Sequence, residues 1–501
     1  MNQVSGMNTI MVSPPREEGK GEVAIDVGDT IEEKLSIQQH QLRPPHTPPH
    51  EGEKLHTSVI PTGIILASIF VFAVVVRWHN LFAYNTWWAD DGGAHVAYIQ
   101  KILEFGRLPT TAETYLAWHE PLYYVVTAGW AKMGNWLGHS GLNWWEGLQV
   151  IISLAFLWLV WLTAKKITQG NRWVAVLSVL LCSVLFVSVK LSAYLTNELA
   201  AQTLMLLGAY LWLRWQLIEP GKYRLVLWWS AVLSAATLTK LSAVIVVLAA
   251  LVLWGVKFLM TRKPYLLGYA AVCLGTLALL NTPWLVYKHR QFGAVFSINL
   301  HERAHAQSLV RSQGWSYLFA VNPRIFTTQP FWFGAPQSFA SIVLGDTFGD
   351  YYNLFANPDA MEKLPASARV QTGNGRFTTP QRWDAMVWAN RIGVFIAGLW
   401  VVGFFCRIIQ MIRRRQTDWN LLWVSVLVAG AWAALAYNVL RFPYLERGVL
   451  KAAFIYFSFP LLAIVSFQWW WEQSRFSWVR GVVLVMPGVA YVVAAISMLW
   501  V

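Results

Sequence analysis

Residues 58–76 read SVIPTGIILASIFVFAVVV, an apolar run without a charged side chain. A helix of about 20 apolar residues is long enough to cross the ~30 Å hydrocarbon core of a bilayer. Ten further apolar runs follow, near 146–164, 173–189, 199–217, 225–240, 241–258, 265–284, 385–406, 420–438, 451–470 and 479–500. The sequence therefore predicts an all-α polytopic membrane protein with about 11 transmembrane helices.

Composition supports the same class of protein. Of the 501 residues, 56% are apolar and only 13% are charged, whereas soluble domains carry about 25% charged residues. The 30 tryptophans fit this reading, because tryptophan is enriched at membrane interfaces. These values argue against a soluble enzyme, a disordered protein or a coiled coil. The three cysteines lie in apolar stretches, so neither a disulfide framework nor a cysteine metal site is expected.

The first 57 residues differ from the rest. Residues 1–57 are polar, contain the proline- and histidine-rich run RPPHTPPH, and carry five basic and nine acidic side chains. They lack a sustained apolar period, which predicts a disordered cytosolic tail. Residues 58–501 are then expected to form the transmembrane domain.

Basic residues predict the orientation, because short cytoplasmic loops collect lysine and arginine. With the N-terminus in the cytosol and 120–137 as a short helix that does not cross, five basic clusters fall inside. These contain Lys165, Lys166 and Arg172; Lys222 and Arg224; Arg262 and Lys263; Arg407 and Arg413 to Arg415; and Arg475 and Arg480. Two long loops, 78–145 and 288–384, are then predicted outside.

Acidic residues are scarce and concentrate in the predicted outer loops. Asp90 and Asp91 follow the first span, and an amphipathic helix on the membrane surface is expected from Ala94 to Phe105. A carboxylate beside an apolar wall can serve as a general base or ligate a divalent ion, although an acidic pair can also simply solvate a loop. Glu198 heads the fourth span, where either function or helix capping would explain it.

Cations occur at the same predicted side of the membrane. They are Lys190, Lys240, Lys288, Arg290, Arg441, Arg447 and Lys451. A single lysine at the end of a span usually extends to the headgroups. Several cations near carboxylates at one face indicate a lipid that carries a phosphate, because lysine and arginine pair with phosphate oxygens.

The first outer loop contains DDGGAHVAYI at 90–99, GRLP at 106–109 and HEPLYY at 119–124. This pattern resembles the GT-C superfamily of glycosyltransferases, in the branch of protein O-mannosyltransferases and lipid A aminoarabinose transferases. Asp91 stands where that family has Glu, and Glu120 where it has the first Pro of His-Pro-Pro. Near Pro283 the family often has an Arg where this chain has Tyr287, followed by Lys288.

The resemblance implies a GT-C-like fold and an inverting transfer of a hexose or pentose from a polyprenyl-phosphate donor to a lipid, glycan or protein acceptor. It implies Asp90 as base, with Asp91 and Glu198 also catalytic, and it leaves open a divalent cation held by Asp90 and Glu198. The residues expected to bind the lipid phosphate are His119, Lys240, Lys288, Arg447 and Lys451. It favours a bacterial plasma membrane over the endoplasmic reticulum, and no nucleic-acid partner is expected.

Sugar and acceptor contacts are expected from His95 and Tyr98 in the first loop. The second long loop contains GDTFGDYYN at 345–353, which adds Asp346 and Asp350. Aromatic rings beside carboxylates suit sugar recognition, but an ordinary ordered loop has the same composition.

Two other functions remain open from sequence. A transporter usually places charges near the midplane on broken helices and shows inverted repeats, and neither feature is visible in the sequence. A ligase or flippase for lipid-linked polymers would share the outer cations, but it would not require the carboxylate of Asp90.

Overall fold

The computed structural model describes most of the chain after the N-terminal tail. The described residues are 62–84, 86–89, 91–293, 315–332, 338–356, 358–372, 376–415, 417–441, 452–474 and 486–499. Their regular secondary structure is helical, apart from a small antiparallel pair of strands, β1 (Val370–Gln371) and β2 (Phe377–Thr378), in which Val370 is opposite Thr378. The predicted all-α class is therefore confirmed, and the predicted tail 1–57 lies outside the described residues.

The helices are named in chain order. They are α1 (Thr62–Ala83), α2 (Gly92–Phe105), α3 (Leu122–Trp136), α4 (Leu142–Ile167), α5 (Arg172–Val184), α6 (Phe186–Ser192), α7 (Asn197–Trp215), α8 (Tyr223–Thr239), α9 (Val244–Thr261), α10 (Tyr265–Phe292), α11 (Ser316–Phe319), α12 (Phe339–Phe348), α13 (Pro358–Lys363), α14 (Pro380–Arg413), α15 (Trp419–Arg441), α16 (Ser458–Gln473) and α17 (Met486–Leu499).

Six helices in the described part of the chain are long and apolar enough to cross a membrane, and a bent pair would make a seventh. The six are α1, α4, α9 with its preceding 3-10 turn, α10, α14 and α15; the pair is α5 with α6, bent by 59°. Each of the eleven predicted runs coincides with a helix or with this pair, but the count of eleven spans is not confirmed. Helix α8, for example, has 17 residues, which rise only about 25 Å.

Helix α3 coincides with the segment that we expect not to cross. Its 15 residues rise about 22 Å, which is less than the ~30 Å hydrocarbon core. It packs against α2, α4, α7 and α8. The first predicted outer loop is thus tied to the helix bundle.

Four tryptophans form part of the core, although the composition suggested interfacial positions. Trp212 of α7 stacks on Trp423 of α15 with ring centroids 4.3 Å apart, and Trp229 and Trp254 lie against them. The indole N–H of Trp229 donates to the carbonyl of Gly208 at 2.8 Å. Such a bond satisfies the polar edge of a buried indole, so these rings stabilise the junction of α7, α8, α9 and α15.

The bend between α5 and α6 is held by a buried arginine. Arg77 of α1 is fully buried and donates to the carbonyl of Ser183 at 3.3 Å, before the bend, and to Ser188 Oγ at 2.9 Å, after it. Its Nε donates to Ser153 Oγ of α4 at 2.6 Å. The guanidinium therefore satisfies backbone and hydroxyl acceptors on both sides of the bend.

Candidate active site

The acidic turn of the first loop lies at the start of α2. A 3-10 turn, Thr86–Trp88, precedes it, and Asp91 is the N-cap residue of α2. The hydroxyl of Tyr115 donates to Asp91 Oδ1 at 3.3 Å, which ties this carboxylate to the segment between α2 and α3. Asp90, the predicted base, lies outside the described residues.

Helix α2 is the amphipathic helix that the sequence predicts. It ends where Gly106 adopts a φ of 65°, a left-handed conformation that glycine accepts without strain. Its buried face includes His95 and Tyr98. The Tyr98 ring stacks on Tyr124 of α3 at 3.9 Å, and burial raises the pKa of Tyr98. These two predicted contact residues therefore lie between α2 and α3.

A hydrogen-bonded chain links His119 to α2. The Tyr124 hydroxyl lies 2.8 Å from Nδ1 of His95 and 3.2 Å from Nδ1 of His119. Burial lowers the pKa of His119 well below 6.5, and the nearby His95 and Lys240 lower it further. His119 is therefore neutral at pH 7 and can act as a hydrogen-bond donor to a phosphate, but not as a cation.

Glu198 lies at the first turn of α7, but it is not the N-cap residue. That position belongs to Thr196, whose Oγ1 accepts from the backbone N–H of Glu198 at 3.2 Å. The Glu198 carboxylate instead pairs with the ammonium group of Lys240. The side chain of Asn197 donates to the carbonyl of Thr239 at 3.1 Å. This bond holds the start of α7 against the end of α8. Neither Asn197 nor Glu198 is thus the cap of this helix.

Two acceptor atoms at this turn are buried without a hydrogen-bond partner among the described residues. They are Oε2 of Glu198 and Oδ1 of Asn197. The Nδ2 atom of Asn197 lies 3.4 Å from Nδ1 of His119, so the amide group of Asn197 is close to the histidine. Buried polar atoms normally have partners, and an open buried acceptor is where a donor group of a ligand could bind.

A second buried ion pair joins the first loop to α10. Lys288 Nζ lies 3.2 Å from Glu120 Oε1, and both side chains are buried. The ammonium group also lies over the ring of Trp284 at 5.6 Å. Glu120 is the residue after His119 in the chain, and both Lys240 and Lys288 are near enough to lower the pKa of the histidine.

The described site residues of the first loop and of α7, α8 and α10 therefore come together. We call them the polar cluster: Asp91, His95, Tyr98, His119, Glu120, Asn197, Glu198, Lys240 and Lys288. Asp91 belongs to it because its charge raises the pKa of His119 against the effect of burial. Arg447 and Lys451, the other predicted phosphate ligands, lie outside the described residues.

The two aspartates of the second loop have partners within the protein. Asp346 pairs with Lys190 of α6 and accepts the backbone N–H of Ala452 at 2.8 Å. Asp350 accepts from Arg382 Nη2 at 2.9 Å and from two backbone N–H groups that follow it. Both carboxylates are buried, so the structure places them in ion pairs that hold the second loop on the helices.

Sequence reasoning missed one carboxylate near the acidic turn. Glu146, in the first turns of α4, is buried and accepts a hydrogen bond from the hydroxyl of Thr86. That hydroxyl also accepts the backbone N–H of Leu195 at 3.3 Å. The signal in the sequence is an ionisable residue at the edge of an apolar run. Glu146 thereby connects α4, the turn before Asp91 and the segment before α7.

The described residues do not form a metal site on their own. No group of three or more His, Cys, Asp or Glu side chains among them is placed to hold a metal ion. The carboxylate of Glu198, one of the two predicted ligands, is paired with Lys240. The described donor set therefore does not fit a divalent cation, and Asp90, the other predicted ligand, lies outside the described residues.

The fold is similar to that of three solved structures. The oligosaccharyltransferase of Archaeoglobus fulgidus, solved with a tethered acceptor peptide, has a TM-score of 0.47 and 10% identity over 87% of this chain and 55% of that one. ArnT from Cupriavidus metallidurans has a TM-score of 0.39 and 15% identity in the apo state, over 81% of this chain and 77% of that one. The structure of the same protein bound to undecaprenyl phosphate has a TM-score of 0.38 and 14% identity, over 82% of this chain and 78% of that one.

This chain spans about half the length of the oligosaccharyltransferase that it matches. No family model and no curated protein matches the sequence. At TM-scores below 0.5 the similarity assigns no function, and the polar cluster is the basis of the functional proposal.

Proposed function

We propose that this chain is a membrane glycosyltransferase that moves a sugar from a polyprenyl-phosphate donor to an acceptor at the outer membrane face. The observation that carries the proposal is the polar cluster, in which two lysines, a neutral histidine and three carboxylates meet beside apolar helices. Ionisable groups at such positions are costly and usually functional. Two lysines near one histidine suit the phosphate of a lipid-linked donor.

The proposed reaction is a single displacement at the anomeric carbon of the sugar. An acceptor hydroxyl or amine attacks that carbon and forms the new glycosidic bond. The bond from the carbon to the phosphate oxygen breaks, and its electron pair leaves with the polyprenyl phosphate. Attack opposite the leaving group inverts the configuration. The proton of the acceptor passes to a carboxylate, for which we propose Asp90, with Asp91 and Glu198 orienting the acceptor.

The leaving phosphate is proposed to be stabilised by Lys240 and Lys288, with Arg447 and Lys451 as further ligands. Fixed cations at the position where negative charge develops lower the barrier, because they need no reorganisation during the reaction. His119 would add a neutral N–H donor, in keeping with its lowered pKa.

His95 and Tyr98 remain proposed contacts for the sugar or the acceptor. Both lie at the junction of α2 and α3, and the hydroxyl of Tyr98 is buried without a hydrogen-bond partner among the described residues. Asp346 and Asp350 are weaker choices for sugar contact, because Lys190 and Arg382 already pair with them. We propose the plasma membrane of a bacterium as the location, with the N-terminus in the cytosol.

The experiment that tests this function replaces Asp90 by Asn in the source cell and measures sugar transfer to the endogenous acceptor. Loss of transfer with normal expression supports the proposal, because Asn keeps the shape of the side chain and removes its basicity. Glu104→Gln is the matched control, since Glu104 is an exposed carboxylate of α2 that pairs with Lys101. Unchanged transfer in Asp90→Asn would contradict the catalytic assignment.

A transporter is the second candidate function. The observation that favours it is the 59° bend between α5 and α6 with the buried Arg77 against it, because transporters use broken helices at their binding sites. Uptake of a labelled solute into proteoliposomes, lost in Arg77→Gln and without consumption of a glycolipid, would support this candidate. If Arg77→Gln lowers sugar transfer and the protein shows no uptake of solute, the transporter is excluded.

A further inference from the structure

Each lysine of the polar cluster is paired with a carboxylate of the protein. Lys240 pairs with Glu198, and Lys288 lies 3.2 Å from Glu120. The side chains of Lys288 and Glu120 are 2% and 8% exposed, and those of Lys240 and Glu198 are 18% and 9% exposed. The Lys288–Glu120 pair is buried and the Lys240–Glu198 pair is partly buried, so water screens the attraction between the opposite charges only weakly.

The pairing has a consequence for any anion that enters the cluster. A lysine whose charge is balanced by a nearby carboxylate attracts a second anion weakly, because the carboxylate repels it. The phosphate of a lipid-linked sugar is a diester with one negative charge and two non-bridging oxygens, so it can bond to both ammonium groups. It binds them most strongly when the two carboxylates, which repel it, no longer hold the lysines.

We propose that Glu198 and Glu120 hold Lys240 and Lys288 in the free protein, and that the phosphate of the lipid donor takes both lysines over when it binds. This exchange rests on the proposed function, and it adds a regulatory step to the same site. The two glutamates are then competitors of the phosphate, and each glutamate weakens donor binding.

The exchange also explains the open atom of Glu198. Its Oε2 has no hydrogen-bond partner among the described residues, and the residue is 7% exposed. Once Lys240 turns to the phosphate, both oxygens of this carboxylate are available to the hydroxyl or amine of the acceptor. A carboxylate without a nearby cation is the stronger hydrogen-bond acceptor and base. Donor binding thereby prepares the acceptor position, which predicts that the donor binds first.

The test is equilibrium binding of a polyprenyl phosphate to the full chain in lipid nanodiscs. Glu198→Gln and Glu120→Gln should each bind it more tightly by about tenfold, since close charge pairs couple by at least ~1.5 kcal/mol. Lys240→Gln should bind it more weakly. The controls are Glu104→Gln and Lys101→Gln, which change the same charges in an exposed pair on α2 and should leave the affinity unchanged.

Unchanged or weaker binding in both Gln variants, with thermal unfolding like that of the wild type, would overturn the exchange. If one Gln variant fails to fold, the other carries the test, because Glu120 lies in the segment before α3 and Glu198 lies in the first turn of α7. Inorganic phosphate, titrated in parallel, should bind more weakly than polyprenyl phosphate, but the order of affinities among the variants should be the same. A different order would also overturn the proposed exchange. Failure of the proposed function is distinct, because the wild type would then not bind the polyprenyl phosphate at all.

Discussion

Lys288 Nζ lies 3.2 Å from Glu120 Oε1, and both side chains are buried. Glu120 lies in the segment before α3, and Lys288 lies near the end of α10. The ion pair therefore joins the first long loop to a helix 168 positions later in the chain. A buried lysine without a partner is costly, so each of the two residues accounts for the presence of the other.

The Glu120–Lys288 pair predicts a stability effect that a double variant reverses. Glu120→Leu leaves the charge of Lys288 buried without its carboxylate and should destabilise the protein by about 3 kcal/mol. Glu120→Leu combined with Lys288→Met removes both charges and should recover most of that loss, because apolar side chains of similar size can replace a buried pair. Thermal unfolding in detergent measures the stability of the single and the double variant. A double variant as unstable as the single one would contradict the pairing.

His119 predicts a loss of stability in acid. Its pKa is well below 6.5 in the folded protein, because of burial first and nearby positive charge second. Below about pH 6.5 the unfolded chain therefore binds a proton that the folded chain resists, and stability falls as the pH falls toward the folded value. The unfolding temperature of the wild type should drop more steeply between pH 7.5 and about 5 than that of His119→Asn. His139→Asn, which removes an exposed histidine, should follow the wild type.

Gly92 predicts a steric requirement at the acidic turn. A Cβ atom on Gly92 would overlap the carbonyl oxygen of Thr86, a backbone atom that cannot move alone. Gly92→Ala should therefore displace Asp91 and lower the rate of sugar transfer by about 100-fold. Gly129→Ala in α3, where an added Cβ meets nothing within 4 Å, is the control and should keep its activity. Equal activity of the two variants would show that the position of this turn does not matter.

The Asp350–Arg382 pair predicts a structural role for the second loop. Asp350→Asn leaves the buried Arg382 without its carboxylate and should lower the free energy of unfolding by about 3 kcal/mol. The KM for the donor should stay within about twofold, since the carboxylate points to protein groups. Asp384→Asn at an exposed position of α14 is the control. A raised KM at unchanged stability would instead support the sugar contact predicted from sequence.

The sequence predicts the helices well because their apolar runs are long. The start of α2 after the acidic turn and its end at Gly106 follow from spacing and from one glycine, and the structure confirms both. The number of spans is harder to predict, because apolar runs such as α8 are shorter as helices than the bilayer core.

The candidate site is predicted only in part. Sequence reasoning selects Glu198, Lys240 and Lys288 because charged residues at the ends of apolar runs are conspicuous. It does not select Glu120, the partner of Lys288, and it does not predict that Glu198 pairs with Lys240, because the two pairs join residues that are 168 and 42 positions apart. It also leaves Glu198 open between a capping and a functional role, and the structure assigns the cap to Thr196. Such choices depend on tertiary contacts that no local pattern encodes.

Transfer of a sugar from a lipid phosphate by the polar cluster can be measured with purified protein. The purified chain in nanodiscs is given polyprenyl-phosphate sugars with a labelled sugar, together with membrane extract of its source as acceptor. The wild type should release polyprenyl phosphate in equal amount to the sugar transferred, with inverted anomeric configuration. Asp90→Asn and Glu198→Gln should lose this release, and Glu104→Gln should keep it. Wild-type protein that consumes none of these donors, or variants that release the phosphate as fast as the wild type, would contradict the account.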